Sequence, residues 1–152
     1  KSTINVDTLL ITLYETYEPV CMKQNLELKL HLSEESYPAM FTDKDRLFQI
    51  LCVFMDNAIQ HSKNNSLIEI EVIATEKNIA FSVADHGQGI SDEDKQYIFD
   101  RFYSGDKSHT NKSNFGLGLS IAKELTQMLN GTITINDTAV GGATFTVKFP
   151  LK

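Results

Sequence analysis

Asn57 stands inside an otherwise apolar run, Leu47-Phe-Gln-Ile-Leu-Cys-Val-Phe-Met-Asp-Asn-Ala-Ile-Gln-His61. An amide there competes with helix backbone and must find a partner when buried. Asn57 and His61 are one helical turn apart and share a face. On the residues alone it reads as a capped or solvated Asn near a helix end. A second stretch, Asp85-His-Gly-Gln-Gly-Ile90, directly follows an apolar run. Its glycines let backbone approach a flat ligand without an intervening Cβ, and a carboxylate at a strand end accepts from an exocyclic amine. Read plainly, it is an Asp/Gly turn. The third stretch, Gly116-Leu-Gly-Leu-Ser-Ile121, opens an apolar periodic segment after a polar one. Helix N-termini carry unpaired N–H groups and a positive dipole end, which suit phosphate oxygens; the plain reading is a flexible loop-to-helix junction. Neither glycine stretch is a dinucleotide fingerprint, and no Gly-Lys-Ser/Thr occurs, so a triphosphate needs another geometry.

The elements that must position these residues follow from hydrophobic period. Leu9, Leu10, Leu13, Tyr17, Val20 and Cys21 recur at spacings of three and four, predicting a helix from Val6 to Gln24. Residues Leu26 to Leu32 alternate as a half-wet strand, and Tyr37 to Phe41 suggest a short second one. Thr42-Asp-Lys-Asp45 is a capping signal with the hydroxyl first, ahead of a helix from Asp45 to Ser62 whose core stripe is Leu47, Ile50, Leu51, Phe54 and Ala58. Two strands follow, Leu67 to Ala74 and Asn78 to Asp85. Ser91-Asp-Glu-Asp94 caps a short helix toward Phe102. Phe99 and Phe102, at i and i+3, read as core anchors. Residues 103–115 are polar and aperiodic, a loop longer than most connections. Leu117 to Leu129 is a helix closed by Asn130-Gly131, and Thr132 to Asn136 and Ala143 to Phe149 are strands around a Gly141-Gly142 turn. The order predicts an α/β sandwich, one mixed sheet with helices on one face.

Composition narrows the function. The 152 residues form one domain, with 41% hydrophobic and 22% charged residues and a packed core. Fourteen Lys+Arg against 20 Asp+Glu leave a net charge of −6, which argues against sequence-blind nucleic-acid binding. Cys21 and Cys52 both lie in apolar surroundings and suggest no disulfide. No apolar run is long enough to span a membrane. Residue 1 is Lys, so the chain reads as a piece of a longer protein.

Taken together and in order, the Asn-bearing helix, Asp-x-Gly-x-Gly, Phe99-Asp-Arg-Phe102-Tyr103 and Gly-Leu-Gly-Leu resemble the N, G1, F and G2 boxes of the catalytic, ATP-binding domain of two-component sensor histidine kinases. The tail Gly141-Gly-Ala-Thr-Phe-Thr-Val-Lys-Phe-Pro150 is similar to that family's closing strand. The resemblance covers the whole chain, and the Phe box separates it from the gyrase, chaperone and mismatch-repair relatives. It implies a Bergerat-type two-layer α+β sandwich, a mostly antiparallel sheet, and a mobile ATP lid over about 103–115. It also implies that Asn57 ligates Mg²⁺ and that Asp85 accepts from the adenine amino group. Gly87, Gly89 and Ile90 shape the adenine wall, and His61 touches ribose or phosphate. Tyr103 belongs to the lid, with Lys107 and Lys112 as phosphate contacts. Gly116, Leu117, Gly118 and Leu119 meet phosphates at the helix start, and Thr144 helps hold a water beside Asp85.

The family moves the γ-phosphoryl of ATP to a histidine of a separate dimerisation domain, for relay to a response-regulator aspartate. None of His31, His61, His86 and His109 sits in the acceptor setting. The expectation is therefore a chain that binds ATP without phosphorylating itself, in the cytoplasmic part of a membrane-anchored bacterial kinase that dimerises through the absent domain. Two positions depart from the pattern: Val53 stands where a second Asn or an acidic residue is common, and Gln60 where a basic one is. They keep open a non-catalytic nucleotide-sensing or docking module. A conformational ATPase of the gyrase kind lacks its base at residue 53.

Overall fold

The computed structural model describes residues 1–100, 116–139 and 141–151, with backbone alone at 116 and 117. The expected lid, 103–115, with Tyr103, Lys107, Lys112 and His109, lies outside the described residues, as does Phe102. A short strand β1 (Ser2–Ile4) leads into helix α1 (Val6–Lys23). Strands β2 (Glu27–His31) and β3 (Met40–Thr42) precede helix α2 (Lys44–His61). Strands β4 (Leu67–Ala74) and β5 (Asn78–Ala84) form an antiparallel pair, followed by a single turn, α3 (Asp92–Lys95). Helix α4 (Gly116–Met128) and the strands β6 (Thr132–Asp137) and β7 (Ala143–Pro150) close the chain.

The main sheet runs β2-β4-β5-β7-β6. Only β2 and β4 are parallel, because the chain between them crosses over through α2; the other three pairings are antiparallel. Alternation assigns the faces. Ile68, Ile70, Val72, Ile79, Phe81, Val83, Phe145, Val147 and Phe149 are buried, while the residues between them are partly or fully exposed. The buried set packs against Leu9, Leu10 and Leu13 of α1, Leu47, Ile50, Leu51, Phe54 and Met55 of α2, and Leu119 and Ala122 of α4. The two-layer sandwich expected from the element order is therefore present, and among the described residues no helix covers the other sheet face.

Two boundaries differ from the sequence reading. The cap of α2 is Asp43, whose carboxylate accepts from Arg46 N at 3.1 Å. Thr42 is instead buried in β3 and serves the core. The strand near residue 40 runs Met40–Thr42 and pairs with β1 in a separate two-stranded ribbon. Three residues, Ser-Thr-Ile, are too few to show a period, so β1 had no signal.

Other local signals act as read. Ser91 accepts from Asp94 N at 3.1 Å. Asn130 takes φ 66°, and Gly131 N–H reaches back to Thr126 O at 2.9 Å, closing α4. Phe99 packs edge-on against Phe145 with centroids 6.3 Å apart. Both cysteines are free thiols; burial pushes Cys21 up to about 11, leaving it protonated and inert. No described helix is long and apolar enough to cross a membrane.

Candidate functional site

Asn57 lies in the last turns of α2, only 7% exposed. The helix puts it there because its neighbours Phe54, Met55 and Ala58 turn into the core. The side-chain Nδ2 donates back to Val53 O at 3.1 Å. That bond turns Oδ1 the other way, where it is buried and accepts from nothing among the described residues. An unsatisfied buried acceptor is destabilising by about 1–3 kcal/mol.

Asp85, 3% exposed, ends the β5 segment on the helix-covered face. Its N–H donates to Ala143 O at 2.9 Å. Its Oδ1 accepts from Gly87 N at 3.0 Å and from Ala143 N at 3.2 Å. Among the described residues only Oδ1 accepts hydrogen bonds. Burial pushes this carboxyl above the usual aspartate range, opposed by the two backbone donors and by the charges of His61 and His86. His61 is half-buried; burial lowers its imidazole below the ordinary range, and the Asp85 charge pulls it back only in part. A mainly neutral imidazole thus faces the acceptor carboxylate across the site.

Glycines let these parts close on one another. A Cβ at Gly87 would run into the His61 carbonyl. A Cβ at Gly142, where φ is 101°, would run into the Asp85 carbonyl. Gly89 lies against Gly142 as well, and Ile90 is half-buried against the core. Gly142 and Ala143 were missed as site residues: the double glycine read only as a turn, although its closeness to Asp85 is what it provides.

At the other end, Gly116 and Gly118 begin α4, whose first-turn N–H groups have no intrahelical acceptor. The Gly118 backbone faces Val53 Cγ1, which a Cβ there would meet at 3.6 Å. Val53, Asn57 and His61 follow at i, i+4 and i+8 along α2. Gly118 therefore lies near the Val53 end of this stripe, and Gly87 lies against the His61 backbone carbonyl at the other end of α2. The structure brings together Asn57, His61, Asp85, Gly87, Gly89 and the start of α4.

Two residues are not brought in as expected. Leu119 is fully buried in the core, so it can present its backbone N–H but not its side chain. Thr144 lies on the uncovered face: strand alternation sends its buried neighbours Ala143 and Phe145 inward and Thr144 outward, where its hydroxyl meets Thr138 Oγ1 at 2.9 Å. It has no place beside the Asp85 carboxylate. The Leu117 side chain is outside the described set.

Among the described residues no three His, Cys, Asp or Glu side chains gather to hold a metal. One amide oxygen is a weak cage alone but fits Mg²⁺, which keeps its waters and takes few protein ligands alongside phosphates.

Gly87→Ala is expected to lower stability by about 1–3 kcal/mol, because the α2 end and the 85–90 segment must separate to admit the methyl. Thermal unfolding measures it; an unchanged midpoint removes the close contact from the account.

Comparison with known proteins adds likenesses to a family, to two relatives and to two solved structures. Residues 42–152 match the family described as histidine kinase-, DNA gyrase B-, and HSP90-like ATPase. Sensor protein CiaH of Streptococcus pneumoniae serotype 4 is 36% identical over 142 residues, 93% of this chain and 32% of CiaH. The signal transduction histidine-protein kinase ArlS of Staphylococcus haemolyticus is 37% identical over 124 residues, 81% of this chain and 27% of ArlS. This chain thus spans about a third of such relatives. Among solved structures, the nucleotide-free catalytic domain of histidine kinase ThkA matches with TM-score 0.84 and 25% identity, covering 98% of this chain and 95% of that one. ThkA in complex with the response regulator TrrA matches with TM-score 0.83 and 23% identity, covering 99% of this chain and 42% of that one.

Proposed function

This chain belongs to the histidine kinase-, DNA gyrase B-, and HSP90-like ATPase family, and we propose that it is the ATP-binding catalytic domain of a sensor histidine kinase. The observation that carries this is the Asn57 oxygen, unpartnered among the described residues, on a helix that Gly118 approaches at Val53 and Gly87 at the His61 carbonyl. In this reading Asp85 Oδ2 accepts from the adenine 6-amino group, where guanine carries a carbonyl oxygen. Gly87, Gly89 and Ile90 give the base a wall. The N–H groups at the start of α4 take the phosphate oxygens. Asn57 would hold Mg²⁺, which would supply neutralisation of phosphate charge.

The reaction moves the γ-phosphoryl to a neutral imidazole nitrogen of a separate acceptor domain. An N–P bond forms, the bond from γ-phosphorus to the bridging oxygen breaks, and ADP leaves. The protein's part is mainly positioning and charge stabilisation. We propose further that the phosphoryl passes to a response regulator, that the parent dimerises through its acceptor domain, and that a membrane anchor in the parent keeps this domain cytoplasmic.

Incubation with γ-labelled ATP tests this. Label is expected on the parent's histidine-bearing domain when it is supplied, and none on this chain alone. ATP binding without any transfer would instead make this a nucleotide-sensing module. Steady hydrolysis without an acceptor would make it a conformational ATPase.

A further inference from the structure

The uncovered sheet face carries a cluster that the nucleotide reading leaves unused. On β4, Glu69 lies between the buried Ile68 and Ile70, so its side chain points away from the core. Two imidazoles share its carboxylate: His31 Nε2 lies 2.9 Å from Oε2, and His86 Nε2 lies 3.2 Å from Oε1. His31 belongs to the edge strand β2, and His86 follows Asp85 directly. Neighbouring residues of extended backbone point to opposite faces: Asp85 turns inward and His86 outward. We propose that Glu69 and His86, buttressed by His31, are positioning residues that hold the Asp85 segment from the uncovered face and set its carboxylate against the nucleotide base. The inference rests on the nucleotide reading above.

The charged groups around this strap come from each neighbouring element. Strand β2 brings Lys29 and His31, β4 brings Glu69 and Glu71, the segment after β5 brings Asp85 and His86, and α2 brings His61 from the far side. Burial alone would raise Glu69, but the bonds from His86 and His31 outweigh it and hold this carboxylate below its usual range. Stability from that pairing is present above the unfolded glutamate range and is lost as pH falls through the depressed value. When His86 is protonated, its charge also opposes the burial that pushes Asp85 up. The strap therefore acts twice, on the place of the acceptor and on its ionisation.

Both effects are measurable. In the chain without nucleotide, the carbon-13 carboxyl signal of Asp85 is titrated in wild type and in His86→Gln. Mg²⁺–ADP affinity is then followed by calorimetry from about pH 5.5 to 8.5, spanning the histidine range. His86→Gln is expected to raise the Asp85 midpoint and to move the acid-side loss of affinity to higher pH. At neutral pH it weakens binding about fivefold, the size of one ordinary hydrogen bond. Glu69→Gln weakens binding comparably. Glu71→Gln, which removes equal charge from the same face without an imidazole bond, leaves affinity unchanged. An unmoved Asp85 midpoint in His86→Gln overturns the proposal, and so does a loss of affinity uniform across pH. A midpoint that moves in a chain that binds no Mg²⁺–ADP at all keeps the coupling and removes the nucleotide reading.

Discussion

Asn57→Ala is expected to lower phosphoryl transfer to the acceptor domain by about 100-fold, the scale set by losing one preorganised contact at a phosphoryl site. Mg²⁺-dependent nucleotide affinity falls with it, by about 10- to 100-fold, while the residual metal-free affinity is unchanged. Stability moves the other way or not at all. The lost Nδ2 bond is local, to a carbonyl one helical turn back, and the lost Oδ1 accepts from nothing among the described residues. Deleting it removes a buried acceptor whose desolvation folding does not repay. Thermal unfolding without nucleotide should therefore show a midpoint equal to wild type or higher, and titration with Mg²⁺–ATP should show the deficit. A variant that loses stability and keeps Mg²⁺-dependent affinity would reduce Asn57 to a structural residue.

How much of this was legible follows from which interactions are local. Helices α1, α2 and α4 are amphipathic at a spacing of three and four, so their positions follow from period alone, to within a residue or two at the ends. The sheet's strands alternate or run apolar, and Asn130-Gly131 and Ser91 have local cap chemistry. What was hidden is pairing across long gaps in the chain. Nothing near Gly142 says that it presses on Asp85, 57 positions earlier in the chain. Nothing near Tyr17 says that its hydroxyl donates to Asp56 Oδ1 at 2.8 Å, fixing α1 beside the turn that carries Asn57. Thr144 shows the same limit from the other side. The family resemblance implied a place at the site, and a one-residue step in strand alternation sent it to the opposite face.

Asp85→Asn is expected to weaken ATP binding by about 1.5–3 kcal/mol, roughly 10- to 150-fold, through loss of a charge-assisted hydrogen bond. The geometry says how. Gly87 N and Ala143 N both donate to Oδ1. The carboxamide oxygen of Asn must stay there to keep those two bonds. Its NH₂ then stands where Oδ2 was, a donor facing the donor on adenine, so discrimination against guanine nucleotides falls along with affinity. Stability takes the opposite sign. Burial raises the Asp85 carboxyl above its ordinary value, so the ionised form is disfavoured in the folded chain. That penalty is absent below the unfolded aspartate range, near 3.9, and grows as pH rises until it is complete above the raised folded value. Asn carries no such charge, so the variant should unfold at an equal or higher temperature than wild type at pH 8, with the difference closing toward acid. The wild type should also lose ATP affinity on acidification sooner than an ordinary aspartate would allow, while Asp85→Asn shows a flat profile over that limb. Unchanged affinity in the variant, or a wild-type profile with no acid limb, would leave Asp85 as a turn residue.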